Sequence, residues 1–343
     1  MKIRSVQYWR AVAALMVVIA HALLHPLPFP TPSLRRLGSF GVLLFFVISG
    51  FIMVYTTGRT RFDPWKFLRR RMERIVPLYW LVTFAVAFLA LFAPFLLKNT
   101  EFSIGQLILS CLFIPYARGD GEIVPLMKLG WSLNYEIFFY LIFACASRLR
   151  AEARVMAVIA FFLLLVLYGI AAPSDIPIVY FFTQPVILSF CVGMLLGLWH
   201  LRGGMERSPP PPLLIAALAA GLIAAGFLIP TRSAINPATD GLFTLAAAAM
   251  LLLGLRLENR LPVSPAGLLL GDASYAMYLV HMYVVGAVVL IGQRLLGQPV
   301  AAFDVVLTVA ITLAASIFIH LRIERPIGKA LRGLRLRPVA VAG

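Results

Sequence analysis

Long apolar runs alternate with short charged segments along nearly the whole chain. About 20 apolar residues span a bilayer as a helix, and the runs predict ten such helices. Their approximate bounds are 8–25, 40–57, 75–93, 131–147, 154–171, 179–199, 213–229, 238–255, 271–291 and 302–321. A shorter apolar piece, 102–116, is expected to be a re-entrant or interfacial segment. The pattern predicts an all-α, polytopic transmembrane helical bundle.

Composition narrows the class of protein further. Of the 343 residues, 61% are hydrophobic and 13% are charged, whereas an average soluble domain carries about 25% charge. This excludes a soluble enzyme, a disordered chain and a disulfide framework. The cysteines Cys111, Cys145 and Cys191 lie in separate apolar stretches without metal-site spacing, so we expect buried free thiols. Residues 1–343 are expected to form a single transmembrane domain.

The net charge of +16 is best explained by membrane topology. With the N-terminus inside, 23 of the 30 Lys and Arg fall in cytoplasmic segments and 7 fall outside, as the positive-inside rule requires. This places both termini in the cytoplasm. The residues 20–22 after a basic opening also resemble a signal-peptide cleavage site. Cleavage would leave nine spans, and the charge distribution argues against it.

Arg10 and His21 share the first predicted helix. They are 11 residues apart, close to three turns, so they lie on one face and are separated by about 16 Å along the axis. Arg10 is expected near the cytoplasmic mouth, where it could simply anchor the helix. His21 is expected deep in the membrane, although a histidine near the outer interface is an equal alternative. Ionisable groups inside a membrane are candidates for function.

Glu136 lies inside the fourth predicted span, on the same face as Ser132 four residues earlier. A carboxylate at that depth is costly unless it is paired. Its depth approaches that of His21, so we expect a Glu136–His21 hydrogen bond. Such a bond would fix the tautomer of the imidazole and raise the basicity of its other nitrogen.

The segment between the second and third spans is denser in cations than orientation requires. It carries Lys66, Arg69, Arg70, Arg71 and Arg74 within nine residues. Guanidinium groups suit phosphate oxygens. A stop-transfer anchor or a site for anionic lipid are the alternatives, and the residues alone favour the anchor.

Ser274, Tyr278 and His281 form a polar stripe in the ninth span at i, i+4 and i+7. Interhelical hydrogen bonding and contact with a substrate are equally good explanations. In the second span, Ser49-Gly50 predicts close helix packing. No metal-ligand set, P-loop or dinucleotide motif occurs in the sequence, so no metal is expected.

In the order in which they occur, these motifs resemble the acyltransferase-3 family of membrane acyltransferases, and in particular its exopolysaccharide-production branch. The resemblance extends almost from end to end. It is carried by Arg10 with His21 in a Gln7-Tyr8-Trp9-Arg10 opening, Phe46 to Phe51, Arg71-x-x-Arg74 followed by Pro77-Leu78-Tyr79-Trp80, Trp131-Ser132-Leu133 with Glu136, Ser274-Tyr275 with His281, and Glu324-Arg325-Pro326.

The resemblance implies transfer of an acyl group, usually acetyl, from cytoplasmic acyl-CoA to a carbohydrate hydroxyl outside the bacterial inner membrane. It also implies about ten spans. Acyl-CoA would be a co-substrate, and no tightly bound cofactor is expected. The expected partners are the carbohydrate acceptor, membrane lipid and polysaccharide-assembly proteins, and not nucleic acid.

The resulting hypothesis assigns a role to each candidate. Arg71, Arg74 and Arg70 would hold the phosphates of acyl-CoA, with Arg10 at the mouth of the channel. His21, oriented by Glu136, would act as general base on the acceptor hydroxyl or accept the acyl group first. The side chains expected at the acceptor are Trp131, Ser132, Ser274, Tyr278 and His281, with the 94–130 loop as a lid.

Two other functions compete with acyl transfer. In a transporter or flippase of lipid-linked saccharides, the polar residues would line a translocation path, although the internal repeat of many transporters is missing. A non-catalytic assembly partner would tolerate Glu136→Gln. Binding of coenzyme A separates the enzyme from both alternatives.

Overall fold

The computed structural model describes residues 3–24, 32–94, 102–207, 210–230, 236–296 and 301–333. Within these ranges the chain is helical, without strands, and its only β-type pairing is an isolated bridge between Ala117 and Ile123. The helices are α1 (Arg4–Leu24), α2 (Pro32–Thr57), α3 (Pro64–Phe92), α4 (Ile104–Cys111), α5 (Trp131–Cys145), α6 (Ala151–Ala171), α7 (Pro177–Phe182), α8 (Leu188–Leu201), α9 (Gly204–Arg207), α10 (Pro212–Leu228), α11 (Pro237–Arg256), α12 (Pro265–Leu296), α13 (Ala301–Ile319) and α14 (Arg325–Gly333). The turns Lys128–Gly130 and Pro185–Ile187 are 3₁₀-helical, and a π-helical turn, His320–Glu324, joins α13 to α14.

Prolines mark where many of these helices begin. Pro64 and Pro237 each open a helix, where the missing N–H costs nothing. The preceding residue caps the helix in both cases, since Asp63 accepts a hydrogen bond from the backbone of Lys66 and Asn236 accepts one from Ala238.

Among the residues that the structure describes, seven helices are long and apolar enough to cross a membrane: α1, α2, α3, α6, α11, α12 and the continuous helix that contains α13. Two shorter apolar helices span Pro185–Leu201 and Pro212–Leu228. The chain is therefore all-helical with several membrane-spanning candidates, as predicted. Ten crossings with both termini inside stay a prediction.

The predicted span 179–199 is wrong as a single helix, because α7 ends at Phe182 and α8 begins at Leu188. The Thr183 hydroxyl donates a hydrogen bond to the carbonyl oxygen of Val179 at 2.9 Å. The Gln184 side-chain amide donates one to the carbonyl oxygen of Tyr180 at 3.0 Å. Pro185 follows and cannot donate a backbone hydrogen bond. These features end α7 and restart the chain as α8.

The backbones of helices α2 and α8 approach each other very closely. A Cβ atom on Gly50 would overlap the carbonyl oxygen of Phe190, and one on Gly193 would overlap that of Val47. The close packing predicted for Ser49-Gly50 is therefore confirmed for Gly50. Ser49 is different, because it faces the cavity described below.

Residues 102–130 are packed against the bundle. Helix α4 has eight residues and is too short to cross, as expected for this segment. The Tyr79 hydroxyl donates to the carbonyl of Ser110 at 3.1 Å, and the Leu126 backbone donates to the Ser110 hydroxyl at 2.8 Å. Met127 is fully buried. Within the described part of the predicted lid, the chain is fixed to α3.

All three cysteines are free thiols, but only Cys191 is buried. Cys111 is half-buried and Cys145 is exposed, so the expectation of three buried thiols is wrong for these two. Cys145 is the last residue of α5.

Candidate active site

The principal cavity lies between α1, α2, α3, α5 and α12. Its void is about 780 Å³, including the space at its mouth. The polar residues that line it are Arg10, Ser49, Arg71, Arg74, Ser132, Glu136, Tyr140, Tyr275 and Tyr278. The rest of the lining is apolar and includes Phe45 and Phe46.

The charges of the lining are unequal. Three guanidinium groups, from Arg10, Arg71 and Arg74, share the cavity with one carboxylate, Glu136. Arg10 is only 7% exposed. The carboxylates of Glu324 and Asp272, outside the lining, also act on Arg10. Buried charge is costly unless it is paired, so the surplus of positive charge at Arg71 and Arg74 favours an anionic ligand.

Glu136 is held by hydrogen bonds from two helices. The hydroxyl of Tyr140, one turn later on α5, donates to Oε1 of Glu136. Ser49 on α2 donates to the same oxygen at 3.3 Å. The expected Glu136–His21 bond is not formed, because the hydrogen bonds of this carboxylate go to α2 and to its own helix.

Arg71 forms the wall between the cavity and the end of α2. Its Nη2 donates to the Thr56 hydroxyl at 3.3 Å, and its guanidinium lies 5.6 and 5.9 Å from the ring centroids of Phe67 and Tyr140. Its Nε is buried and has no hydrogen-bond partner among the described residues. Buried donors are rarely left unsatisfied, so this nitrogen is suited to bind an acceptor on a ligand.

His21 pairs with a second histidine. Its Nδ1 lies 2.9 Å from the carbonyl oxygen of Val17 and 3.3 Å from Nε2 of His281, and Nδ1 of His281 lies 2.8 Å from the carbonyl oxygen of Tyr278. Carbonyl oxygens only accept, so both Nδ1 atoms carry hydrogen when the rings are neutral. Nε2 of His281 then accepts from His21, and Nε2 of His21 holds a lone pair.

Tyr278 connects this histidine pair to the cavity. Its ring lines the cavity and its centroid lies 5.9 Å from that of His281. Its hydroxyl lies 2.8 Å from the Ser132 hydroxyl and donates to the carbonyl of Leu129 at 3.1 Å. His21 itself is not part of the lining.

Comparison with known proteins identifies the family. The family model described as "Acyltransferase domain" matches residues 3–321. The chain belongs to the acyltransferase-3 family. It is 34% identical over 305 residues to the exopolysaccharide production protein ExoZ of Rhizobium meliloti, covering 88% of this chain and 92% of that protein. It is 27% identical over 352 residues to the acyltransferase MdmB of Streptomyces mycarofaciens, covering 90% and 85%. No solved structure matches it.

Six of the predicted site residues of this acyltransferase line one cavity: Arg10, Arg71, Arg74, Ser132, Glu136 and Tyr278. The others lie elsewhere. Arg70 lines a neighbouring cavity, His21 and His281 form the pair beyond Tyr278, and Trp131 is half-buried against the rings of Phe46 and Tyr135.

Ser274 is fully buried and donates to the Gly271 carbonyl of its own helix at 2.8 Å, outside the lining of the cavity. This hydrogen bond is local to α12, and contact of Ser274 with a substrate stays a prediction. Within the described ranges, no group of three His, Cys, Asp or Glu residues could hold a metal ion.

Sequence reasoning gave no role to Tyr140 and took Tyr275 only as part of a motif. Tyr275 lines the cavity and donates to the carbonyl of Ile75 at 2.7 Å. For Tyr140 a signal was present, since it follows Glu136 by four residues. Aromatic residues are common in apolar spans, so this signal is weak.

Proposed function

We propose that this acyltransferase transfers an acyl group, usually acetyl, from cytoplasmic acyl-CoA to a hydroxyl of a cell-surface or lipid-linked polysaccharide at the bacterial inner membrane. The observation that carries the proposal is the cavity in which three arginines face one carboxylate. A polyanionic donor supplies the missing negative charge. The exopolysaccharide protein among the relatives supports a polysaccharide acceptor.

The donor enters from the end of the cavity formed by α2 and α3. Arg71 and Arg74 bind phosphate oxygens there, and the buried Nε of Arg71 gains an acceptor. Arg10, on α1, lines the same cavity. The apolar walls formed by Phe45 and Phe46 suit the uncharged arm that carries the thioester.

The acyl transfer takes place at His21. Nε2 of His21 removes the proton from the acceptor hydroxyl, and the oxygen of that hydroxyl attacks the thioester carbonyl carbon. The carbon–sulfur bond breaks, and the proton passes from the imidazolium to the departing CoA thiolate. His281 and the Val17 carbonyl keep the hydrogen of His21 on Nδ1, the role that the sequence had suggested for Glu136.

The acceptor site lies on the Tyr278 side of the pair. Ser132 and Tyr278 offer hydroxyl groups joined to one another, and such groups bond readily to sugar hydroxyls. Because His21 does not line the cavity, side chains of the wall on this side, including Tyr278, must move for the thioester and the imidazole to meet.

The test uses the purified protein in proteoliposomes. Coenzyme A should raise its melting temperature in a concentration-dependent manner, and acetyl-CoA labelled in the acetyl group should label an added polysaccharide or lipid-linked saccharide. Mass spectrometry of surface glycans from cells with and without the gene identifies the acyl mass and the acceptor. Saccharide movement that needs no thioester, with no stabilisation by coenzyme A, would instead indicate a flippase.

A further inference from the structure

A second cavity adjoins the first where α2 ends and α3 begins. Its void is about 500 Å³, including the space that is open to solvent. The residues that line it are Thr56, Thr57, Phe62, Asp63, Lys66, Phe67, Arg70 and Arg71. Arg71 also lines the principal cavity, so one guanidinium forms a wall common to both.

The chemistry of this second cavity differs from that of the first. Lys66, Arg70 and Arg71 contribute three positive charges against the single carboxylate of Asp63. That carboxylate already caps α3, accepting from the Lys66 backbone at 3.1 Å. The ring of Phe62 lines the same space. Surplus positive charge beside an aromatic ring fits a phosphate attached to a nucleobase better than a neutral sugar.

The wall of the second cavity is held in place by a buried arginine from α6. Arg154 is fully buried, and its Nη2 donates to the carbonyl of Gly58 at 2.8 Å and to the hydroxyl of Thr57 at 3.2 Å. Its guanidinium lies 4.9 Å from the ring centroid of Phe62. Thr57 and Phe62 are therefore preorganised by a group that does not itself line the space.

We propose that the second cavity binds the 3′-phosphorylated adenosine end of coenzyme A, while the thioester end lies in the principal cavity. This inference rests on the proposed function, because it divides the same donor between two sites. Lys66 and Arg70 select for the 3′-phosphate, and Arg71 stands where the two parts of the donor join. A phosphate group of an anionic lipid offers the same chemistry, and the experiment separates the two sources.

The experiment compares acetyl-CoA with acetyl-dephospho-CoA, which lacks only the 3′-phosphate. For the full-length protein in proteoliposomes of neutral lipid, we expect KM to be about tenfold higher for the dephospho donor, the size of one charge-assisted contact. Lys66→Gln and Arg70→Gln should each raise KM for acetyl-CoA several-fold and leave KM for the dephospho donor nearly unchanged.

Arg69→Gln is the matched control, because Arg69 is exposed, pairs with Glu73 at 2.9 Å and lines neither cavity. It should leave both KM values unchanged. Equal use of the two donors, or a preference for acetyl-CoA that survives both substitutions, overturns the inference and leaves the proposed function intact. A dependence on Lys66 and Arg70 that appears only with anionic lipid assigns the cavity to lipid and also overturns it. If neither acetyl-CoA nor acetyl-dephospho-CoA supports acyl transfer, the proposed function itself is refuted.

Discussion

Nε2 of His281 lies 3.3 Å from Nδ1 of His21, so His281 on α12 orients the imidazole of His21 on α1. A neutral partner of this kind fixes the tautomer without adding a negative charge. His281 is fully buried and is itself held by the carbonyl of Tyr278. The pair therefore links α1 to α12.

His21 is expected to be essential and His281 to act through it. His21→Ala should abolish acyl transfer, since the base is lost. His281→Ala should lower kcat by about 10- to 100-fold, a typical effect of removing a residue that orients another, with little change in KM for acetyl-CoA.

His281→Gln supplies the control, because its amide oxygen can accept the same hydrogen and should restore part of kcat. Steady-state kinetics on variants with matched melting temperatures measure all three effects. A normal rate in His21→Ala would remove this residue from the chemistry.

Glu136→Gln tests whether Glu136 only lines the cavity or acts as the general base. The amide can still accept from Ser49 and Tyr140, but one negative charge leaves a cavity that binds an anion. KM for acetyl-CoA should therefore fall or stay level while kcat changes less than tenfold. A loss of kcat of about 10²–10⁴-fold, with KM unchanged, would identify Glu136 as the base in place of His21.

Arg71→Gln should weaken donor binding. The variant loses a charge that lines both cavities and the contacts with the rings of Phe67 and Tyr140. KM for acetyl-CoA should rise about tenfold, more than kcat falls. Isothermal titration with coenzyme A should show the same loss of affinity. A defect confined to the acceptor would contradict the assignment of Arg71 to the donor.

Gly193→Ala should destabilise the fold, because the added Cβ overlaps the carbonyl oxygen of Val47. Overpacking of this kind costs about 1–3 kcal/mol. Gly221→Ala is the matched control, since that position on α10 opens to empty space and alanine favours the helix. Melting temperatures measured by fluorescence-detected size exclusion should fall for the first variant only.

Glu258 should make stability depend on pH. Partial burial alone would raise the pKa of Glu258, but hydrogen bonds from the backbone N–H groups of Ser5 and Arg4, and the charge of Arg4, lower it overall. A lowered pKa stabilises the folded protein above the unfolded pKa of about 4.3, and this stabilisation is lost as the pH falls through the folded pKa.

The corresponding measurement compares the wild type with Glu258→Gln. The difference in melting temperature should be fully developed at neutral pH and shrink as the pH falls below about 4. A difference that is the same at every pH would show that the charge of Glu258 contributes nothing.

The sequence predicted much of the site because ionisable residues in apolar spans are costly and therefore few. Arg10 and Glu136 were found in this way, whereas Arg71 and Arg74 were singled out by the density of cations between the second and third predicted spans. Partner choice was not predictable. Depth along a helix places His21 and Glu136 at similar levels, but the rotation of each helix decides which side chains meet. That rotation depends on packing across the whole bundle.

Ser49 shows the same limit at the scale of one turn. Adjacent residues on a helix point about 100° apart, so Gly50 packs against α8 while Ser49 reaches Glu136. Interpreting Ser49-Gly50 as one packing motif hides the different roles of its two residues. The break after α7 was missed because Thr183 and Gln184 sit within an otherwise continuous apolar run.

The contacts of Gly50 with the Phe190 backbone and of Gly193 with the Val47 backbone also bear on how the cavity can widen. Two helices whose backbones touch cannot separate or slide without breaking that contact, so α2 and α8 behave as a single beam. Entry of a bulky donor must then be accommodated by the other helices that line the cavity, α1, α3, α5 and α12. Arg71 and Arg74, which are proposed to bind the donor, belong to α3 and thus to this second group of helices.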